Sequence, residues 1–335
     1  LNLERLRDTP PLCILDEIHK YGQWKTFLKG CHDSYPETVR LLVTGSARLD
    51  VFKAGGDSLM GRYFTCRMHP LSVAELLHAE LPDGSLIWKP IPLGEESFQA
   101  LLQFGGFPEP LLRQNVRFAN RWKRLRVQQL FQEDLRDLTR IQELGQVEML
   151  AELLRHRAGQ LISLTSLAQT VNTSVNTIRR WLQTLESLHH SFAVRPWFAN
   201  ITRSLRKESK YYLWDWSLVA DPGPRAENLV ASALLKAVHF WTDLGFGEFG
   251  LHFLRDKQKR EVDFVVIRDG KPWFLVEVKH SGSASLSPHL AYFQQHSGAG
   301  HAFQVALDLP AVERDCFEVT RPVIVPARTF LAQLV

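Results

Sequence analysis

The sequence predicts an α/β protein with a partial parallel sheet at the N-terminus, a helical middle and a second α/β region at the C-terminus. Two short apolar runs separated by a helical pattern in the first 45 residues predict a strand, a helix and a strand. Apolar residues at helical spacing follow until about residue 187, and strict alternation around residues 261–279 predicts a hairpin. A length of 335 residues predicts two or three domains.

The composition is that of a globular protein. The chain is 45% hydrophobic and 23% charged, which excludes disordered, collagen-like and coiled-coil classes. No stretch has the ~18 uncharged apolar residues of a membrane span, and the start lacks the features of a signal peptide. The 40 Lys and Arg residues against 36 Asp and Glu permit a nucleic-acid partner without requiring one. The cysteines are far apart, which predicts reduced thiols and a cytoplasmic protein: Cys13, Cys31, Cys66 and Cys316.

The N-terminal strands end in polar residues. The first, Leu12–Leu15, is followed by Asp16 and Glu17, and the second is followed by Thr44, Gly45 and Ser46. Both strands are expected to be buried in a parallel sheet, with these polar residues at its carboxyl edge. There one carboxylate can hold magnesium and the next can polarise water for attack on a γ-phosphate. The alternative is that Asp16 and Glu17 only begin a loop or a helix.

The phosphate-binding loop of nucleotide hydrolases is missing from this chain. Residues 56–61 fit G-x-x-x-x-G, but Arg62 and Tyr63 replace the required Lys and Ser or Thr. The segment also follows the acidic strand, whereas a phosphate loop precedes it. Arg62 is either a charge-stabilising arginine for a nucleotide or a surface arginine.

Three segments carry a resemblance to a large prokaryotic family of AAA-type ATPases, essentially from end to end: CILDEIHK, LLVTGSARLDVFKAGGDSLMGRYF and FGGFPEPLL. The resemblance implies that Asp16 and Glu17 are the Walker B pair, that Ser46 lies in the sensor region and that Arg62 is the candidate arginine. ATP and Mg²⁺ are the implied cofactors. Members of that family have a Walker A loop upstream, and this chain begins after that point, so we expect either a truncated chain or one that has lost nucleotide hydrolysis.

A Pro- and Gly-rich stretch over residues 82–94 predicts a linker, and a helical region follows. The helix predicted within residues 118–141 is amphipathic, since Val127, Phe131 and Leu135 recur four residues apart. Its other face is expected to be solvated and is basic: Arg121, Lys123, Arg124 and Arg126.

Residues 147–196 have the pattern of a helix-turn-helix. The second of its helices has an apolar face and an outer face that includes Arg179 and Arg180. Two strand-like runs then flank a basic loop, so that the whole resembles a winged helix; the loop cations are Arg203, Arg206, Lys207 and Lys210. Such arginines contact DNA phosphates or bases. The alternative is a winged helix that only packs domains together.

The hairpin at residues 261–279 places two carboxylates on one face if its loop has an odd number of residues. We expect a three-residue loop, residues 268–270, which pairs Ile267 with Lys271 and puts Asp263 opposite Leu275. Glu277 and Lys279 then share the face of Asp263, whereas a two-residue turn would separate them.

These residues, with Glu227 on the preceding helix, resemble the core of PD-(D/E)XK nucleases. The resemblance implies that Asp263, Glu277 and Glu227 hold a magnesium ion and that Lys279 positions the attacking water or neutralises developing charge. The alternative is an exposed hairpin with an ordinary Glu–Lys pair.

Taken together, the sequence predicts a truncated AAA-type core over residues 1–95, a helical region over 96–145, a winged-helix-like domain over 146–222 and a nuclease-like α/β domain over 223–335. The expected function is that of an ATP-binding, AAA-family protein acting on DNA with a magnesium-dependent nuclease-like domain, its enzymatic activity being undecided. The alternative is a non-catalytic module that binds DNA or a protein partner. No membrane association is expected.

Overall fold

The structure is a computed structural model that describes residues 10–35, 38–45, 59, 61–78, 84–135, 143–197 and 208–335. The chain divides into two compact units, one of residues 1–65 with 187–189 and one of residues 66–186 with 190–335. Across the described part of the chain, no helix is long and apolar enough to span a bilayer. The architecture is mixed α/β.

The first unit contains the predicted strand, helix and strand: β1 (Leu12–Leu15), α1 (Trp24–Ser34) and β2 (Arg40–Val43). The two strands pair in parallel, as predicted. The expectation that both strands are buried is wrong for the described residues, because Leu12 and Ile14 are each 58% exposed. These strands form a sheet of only two strands, so that much of their apolar surface is not covered by neighbouring described residues.

The second unit begins with helices α2 (Glu95–Phe104), α3 (Pro108–Arg113) and α4 (Val116–Gln129) and a π-helical turn, Leu130–Leu135. The expectation that the basic face of α4 is solvated is wrong for two residues. Lys123 donates a hydrogen bond to the backbone carbonyl of Ser217 at 2.9 Å, and the guanidinium of Arg126 lies 3.5 Å from the centre of the Phe107 ring. Both cations therefore fix α4 to its neighbours.

The middle of this unit has the element order α5 (Leu144–His156), β3 (Leu161–Ile162), α6 (Leu164–Val171), α7 (Val175–Ser187), β4 (Ser191–Pro196) and β5 (Ser209–Leu213). Asn172, in the left-handed conformation, ends α6, and the Ser174 hydroxyl accepts a hydrogen bond from the backbone N–H of Thr177. The two helices are therefore joined by a tight turn, as the sequence predicts. Strand β5 pairs in antiparallel fashion with both β3 and β4.

The C-terminal part contains α8 (Pro222–Asp243), β6 (Phe249–Arg255), β7 (Glu261–Arg268), β8 (Lys271–Lys279), α9 (Pro288–Ser297), β9 (His301–Ala306), β10 (Val323–Pro326) and α10 (Ala327–Ala332). The predicted helix, strand and hairpin at residues 225–279 are confirmed by α8, β6, β7 and β8.

One mixed sheet joins the middle and the C-terminal part, in the order β10-β9-β8-β7-β6-β4-β5-β3. The junction is a short parallel pairing of β4 with β6, in which Arg195 pairs with His252 and Pro196 with Phe253. Alternate residues of the central strands face opposite sides, so that Phe264 packs in the core beneath α8 whereas Val265 packs in the core beneath α9. The sheet is thus covered on both faces around the hairpin.

Candidate active site

The β7–β8 hairpin brings the predicted carboxylates together by a different route from the expected one. Its turn has two residues, Asp269 and Gly270, because Arg268 pairs with Lys271. The register then shifts at Trp273, which lies as an extra residue between Pro272, paired with Ile267, and Phe274, paired with Val266. The expected three-residue loop is therefore wrong.

The bulge adds one residue to β8, and this returns Glu277 to the face of the sheet that the two-residue turn alone would have denied it. Phe264 pairs with Val276, and continuing this register places Asp263 across from Glu277 rather than across from Leu275. The backbone N–H of Val278 donates to Oδ2 of Asp263 at 2.9 Å. Asp263 and Glu277 consequently share a face, as the sequence predicts.

A second irregularity lies in the pairing of β7 with its other neighbour, β6. His252 pairs with Val265 and Leu254 with Val262, so that Asp263 and Phe264 both lie opposite one residue of β6. Bulges commonly redirect a side chain next to an active site, and here the bulge is at Asp263.

Glu277 is the most buried acid of the cluster, with its side chain 9% exposed. Its Oε1 accepts a hydrogen bond from Nζ of Lys279 at 2.8 Å, whereas its buried Oε2 has no hydrogen-bond partner among the described residues. Burial and then the charge of Asp263 raise the pKa of Glu277, against the lowering effect of Lys279. One oxygen of this carboxylate is therefore left without compensation.

Glu227 projects from the first turns of α8 toward the same cluster. Its Oε1 accepts a hydrogen bond from the Tyr212 hydroxyl at 2.6 Å and lies 3.4 Å from Nζ of Lys210. Burial and the charge of Asp263 raise the pKa of Glu227 to about 7, although Lys210 and Tyr212 act in the opposite direction. An acid with such a shift in a cluster of titratable groups is typical of a functional site.

Lys210 lies inside this cluster, and the expectation that it is a basic loop cation following DNA is wrong. It belongs to strand β5 and its side chain is only 4% exposed. Its Nζ lies 2.8 Å from Oε1 of Glu261 and 3.6 Å from Oδ1 of Asp263. Burial would lower the pKa of Lys210, but the charges of the surrounding carboxylates raise it well above its usual range.

No set of three or more His, Cys, Asp and Glu side chains could hold a metal ion within the residues that the structure describes. The three expected ligands Asp263, Glu277 and Glu227 therefore do not form such a set. Lys210 lies against Asp263 and neutralises one side of it. Asp263 and Glu277 share a face of the hairpin, carboxylate oxygens are the preferred ligands of hard divalent cations, and Oε2 of Glu277 is buried with no partner in the part of the chain that the structure describes.

The N-terminal candidates lie in the first unit. Asp16 follows β1, and its Oδ1 accepts a hydrogen bond from the Thr44 hydroxyl at the end of β2. Glu17 has a left-handed backbone, with φ 52°, and lies 3.4 Å from Lys20. Arg62 donates to Asp33 at 3.0 Å. Ser46 lies outside the described residues.

The predicted DNA-contacting residues of α7 lie on its exposed face. Arg179 and Arg180 are exposed, and Ile178, Trp181 and Leu182 on the other face are buried. Arg203 and Arg206 lie outside the described residues.

The sequence interpretation missed three residues of the cluster, which are Tyr212, Glu261 and Gly159. Alternation in β5 puts Tyr212 on the same face as Lys210, and alternation in β7 does the same for Glu261 and Asp263; both signals were present. Gly159 has φ 77°, and a Cβ atom there would lie 2.9 Å from Oε1 of Glu227. No local pattern predicts this approach, because it depends on tertiary packing.

Comparison with known proteins divides the chain into three parts. Residues 1–77 match the family model of an AAA domain, residues 95–221 match a domain of unknown function, DUF8612, and residues 222–320 match another, DUF4143. The end of the second match and the start of the third coincide with the start of α8.

The curated relatives span greater lengths than this chain. Uncharacterized proteins of Mycobacterium tuberculosis and Mycobacterium bovis are each 23% identical over 283 residues, covering 82% of this chain and 60% of the relative. An uncharacterized protein of Haemophilus influenzae is 22% identical over 240 residues, covering 67% of this chain and 57% of the relative. The chain therefore spans about 60% of the length of these relatives. No solved structure matches it significantly.

Proposed function

We propose that this chain is part of an AAA-type ATPase whose C-terminal part has a PD-(D/E)XK-like, divalent-cation-dependent site for hydrolysis of nucleic-acid phosphodiesters. The observation that carries the proposal is the buried Glu277, on the same face as Asp263 and hydrogen-bonded to Lys279. Its Oε2 has no partner among the residues that the structure describes. Two like charges on one face repel unless a cation offsets them. An ion between these two carboxylates would remove that cost.

Each residue has a distinct role in this proposal. Asp263 and Glu277 would hold one Mg²⁺, which polarises a phosphate and lowers the pKa of bound water. Lys279, 40% exposed on its side chain, can reach both solvent and Oε1 of Glu277. It would orient the attacking water or neutralise charge on the phosphate. Glu227, with its raised pKa, would accept or hold a proton at the edge of the site.

We further infer that the segment from α5 to β5 is a winged helix that binds DNA. What supports this inference is the element order from α5 to β5 together with the antiparallel pairing of β5 with both β3 and β4. Arg179 and Arg180 on exposed α7 would contact phosphates or base edges. The segment from α5 to β5 would hold the nucleic acid that the proposed C-terminal site hydrolyses.

The nucleotide role of the first unit rests on Asp16 and Glu17. Asp16 would hold the magnesium of MgATP, Glu17 would polarise water, and Ser46 would lie in the sensor region. The side-chain contact of Thr44 with Asp16 supports adjacent placement of the acidic strand and the sensor strand. Arg62 would act as the charge-stabilising arginine for the nucleotide only if its guanidinium left Asp33 and bound a phosphate instead.

The test of the C-terminal proposal is Mn²⁺ binding by isothermal titration, combined with cleavage of single- and double-stranded DNA. Asp263→Asn is expected to weaken Mn²⁺ binding at least tenfold and to abolish cleavage. Lys279→Ala is expected to abolish cleavage and to leave Mn²⁺ binding within a few-fold of the unchanged chain. Glu313→Gln, at an exposed position, is the matched control and should change neither.

The possible results test the metal site and the cleavage activity separately. Absence of Mn²⁺ binding by the unchanged chain would refute the metal site. Binding that is unaffected by Asp263→Asn would place the ion elsewhere. Binding without cleavage would support the second candidate, a non-catalytic module that binds DNA or a protein partner, which is favoured by the presence of Lys210 among the carboxylates.

A further inference from the structure

We propose that the ammonium group of Lys210 is a built-in cation that takes the position of a second metal ion, so that the site binds one divalent ion rather than two. The inference rests on the proposed metal site and concerns how many ions that site accepts. It makes Lys210 a positioning residue, which acts through the carboxylates that it holds.

The first argument is the placement of the ammonium. Its Nζ lies 3.4 Å from Glu227, 2.8 Å from Glu261 and 3.6 Å from Asp263, measured to one oxygen of each. A divalent ion would need these same oxygens, since carboxylates are its preferred ligands. The ammonium and a second ion therefore cannot occupy this space together.

The second argument is burial. The Lys210 side chain is 4% exposed, and it comes from β5, a strand that is paired on both sides. Such a lysine cannot move into solvent without displacing the strand. The ring of Phe253 lies 5.6 Å from Nζ, which adds a cation–π contact. The cation is thus part of the folded structure rather than a mobile counter-ion.

The third argument is the division of charge within the cluster. Glu261 pairs through its other oxygen with Arg255 at 2.5 Å, and Glu227 accepts from Tyr212. The acids around Lys210 therefore have partners, whereas Oε2 of Glu277 has none among the described residues. The one buried carboxylate oxygen of this described cluster that still lacks a compensating charge is therefore next to Lys279, in Glu277, and a single ion is enough to neutralise it.

The experiment counts Mn²⁺ ions bound per chain, by isothermal titration and by electron paramagnetic resonance of free Mn²⁺. The unchanged chain is expected to bind about one ion. Lys210→Ala removes the ammonium and opens its space, and we expect about two ions per chain. Lys210→Arg keeps the charge and should stay at about one.

The matched control is Lys236→Ala. Lys236 is also a buried lysine, with its side chain 10% exposed, but it pairs with a single carboxylate, that of Glu75. Its loss should leave the count at about one. Circular dichroism of every variant checks that the fold is kept.

The outcomes distinguish this inference from the proposed function. No ion on the unchanged chain would refute the metal site itself. One ion on the unchanged chain and one on folded Lys210→Ala would refute the role of Lys210 and leave the metal site standing. Two ions on the unchanged chain would also overturn the inference, and this result needs no variant.

Discussion

Gly105 lies at the end of α2, against the buried turn that contains Asp215. Its φ is 84°, and a Cβ atom there would lie 2.7 Å from Oδ1 of Asp215 and 3.1 Å from Oγ of Ser217. A side chain at this position therefore meets both backbone strain and a steric clash with a buried carboxyl.

We expect Gly105→Ala to lower the free energy of unfolding by about 2–4 kcal/mol, measured by urea denaturation. The control is Gly94→Ala at the other end of α2, where a Cβ atom has nothing within 4 Å and φ is −58°. Equal effects of the two substitutions would contradict the argument from the close approach.

We expect His190 to make the stability of the protein depend on pH. Its Nε2 is buried and has no hydrogen-bond partner among the described residues. Burial and then the charge of Arg126 lower the pKa of His190 to about 4. Between this value and the ordinary pKa near 6.5, the unfolded chain binds the proton that the folded chain excludes. Stability from this residue is therefore present above about pH 6.5 and is lost as the pH falls toward 4.

Replacing His190 with Phe is expected to remove this dependence. The loss of unfolding free energy between pH 7 and pH 4.5 should be smaller than in the unchanged chain by at most about 3 kcal/mol. The measurement is urea denaturation at several pH values, with His280→Phe, at an exposed position, as the control. Parallel pH profiles for the unchanged chain and His190→Phe would show that the imidazole does not titrate as described.

At the scale of elements, the β7–β8 hairpin shows which features a sequence encodes locally. Alternation and the Asp269–Gly270 pair predict the hairpin. The shared face of Asp263 and Glu277 is expected from a three-residue loop, whereas the structure produces it with a two-residue turn and a bulge. The bulge at Trp273 has no local signal in the sequence. The Trp273 ring packs against Trp241 and Phe249, which are distant in sequence. Whether the two carboxylates lie on the same face of the hairpin depends on the number of turn residues and also on each extra residue in a bulge.

Helix α7 is the element through which DNA binding can be tested. Arg179→Ala with Arg180→Ala is expected to weaken binding of duplex DNA and to lower the slope of log affinity against log salt by roughly 1–2. The same double change at Arg121 and Arg124, which are exposed on α4, is the matched control. Fluorescence anisotropy across a salt series gives both quantities. An unchanged slope in the α7 variant would favour a winged helix that only packs.

At the scale of the molecule, the prediction about nucleotide concerns the loop that would hold its phosphates. The 335 residues have no G-x-x-x-x-G-K-[ST] segment, so no glycine-rich loop and lysine hold the β- and γ-phosphates. We expect no ATP hydrolysis by the purified chain above the background of Glu17→Gln, measured by phosphate release. Robust turnover that is lost in Glu17→Gln would overturn this expectation.

The mixed sheet was only partly predictable. Each strand from β4 to β8 has a local apolar pattern, and the sequence therefore indicates where the strands lie. The parallel pairing of β4 with β6 joins residues 57 positions apart, such as Arg195 and His252. It leaves no local signal, since any exposed strand edge can accept another. Lys210 is expected in the preceding loop because the second strand-like run begins at Tyr211. Its burial among Glu227, Glu261 and Asp263 comes from tertiary contacts that no local pattern indicates.

The position of Lys210 has a consequence for how such chains evolve. Its ammonium lies in the segment that matches one family model, whereas Glu227, Glu261 and Asp263 lie in the segment that matches another. Recombination at residue 221 would separate a buried cation from its carboxylates, and an unmatched buried charge is strongly destabilising. Lineages that keep the acids are expected to keep a cation at position 210 or to lose both together. Covariation between position 210 and these acids, across the boundary between the two matched segments, is therefore expected from the sheet that they share.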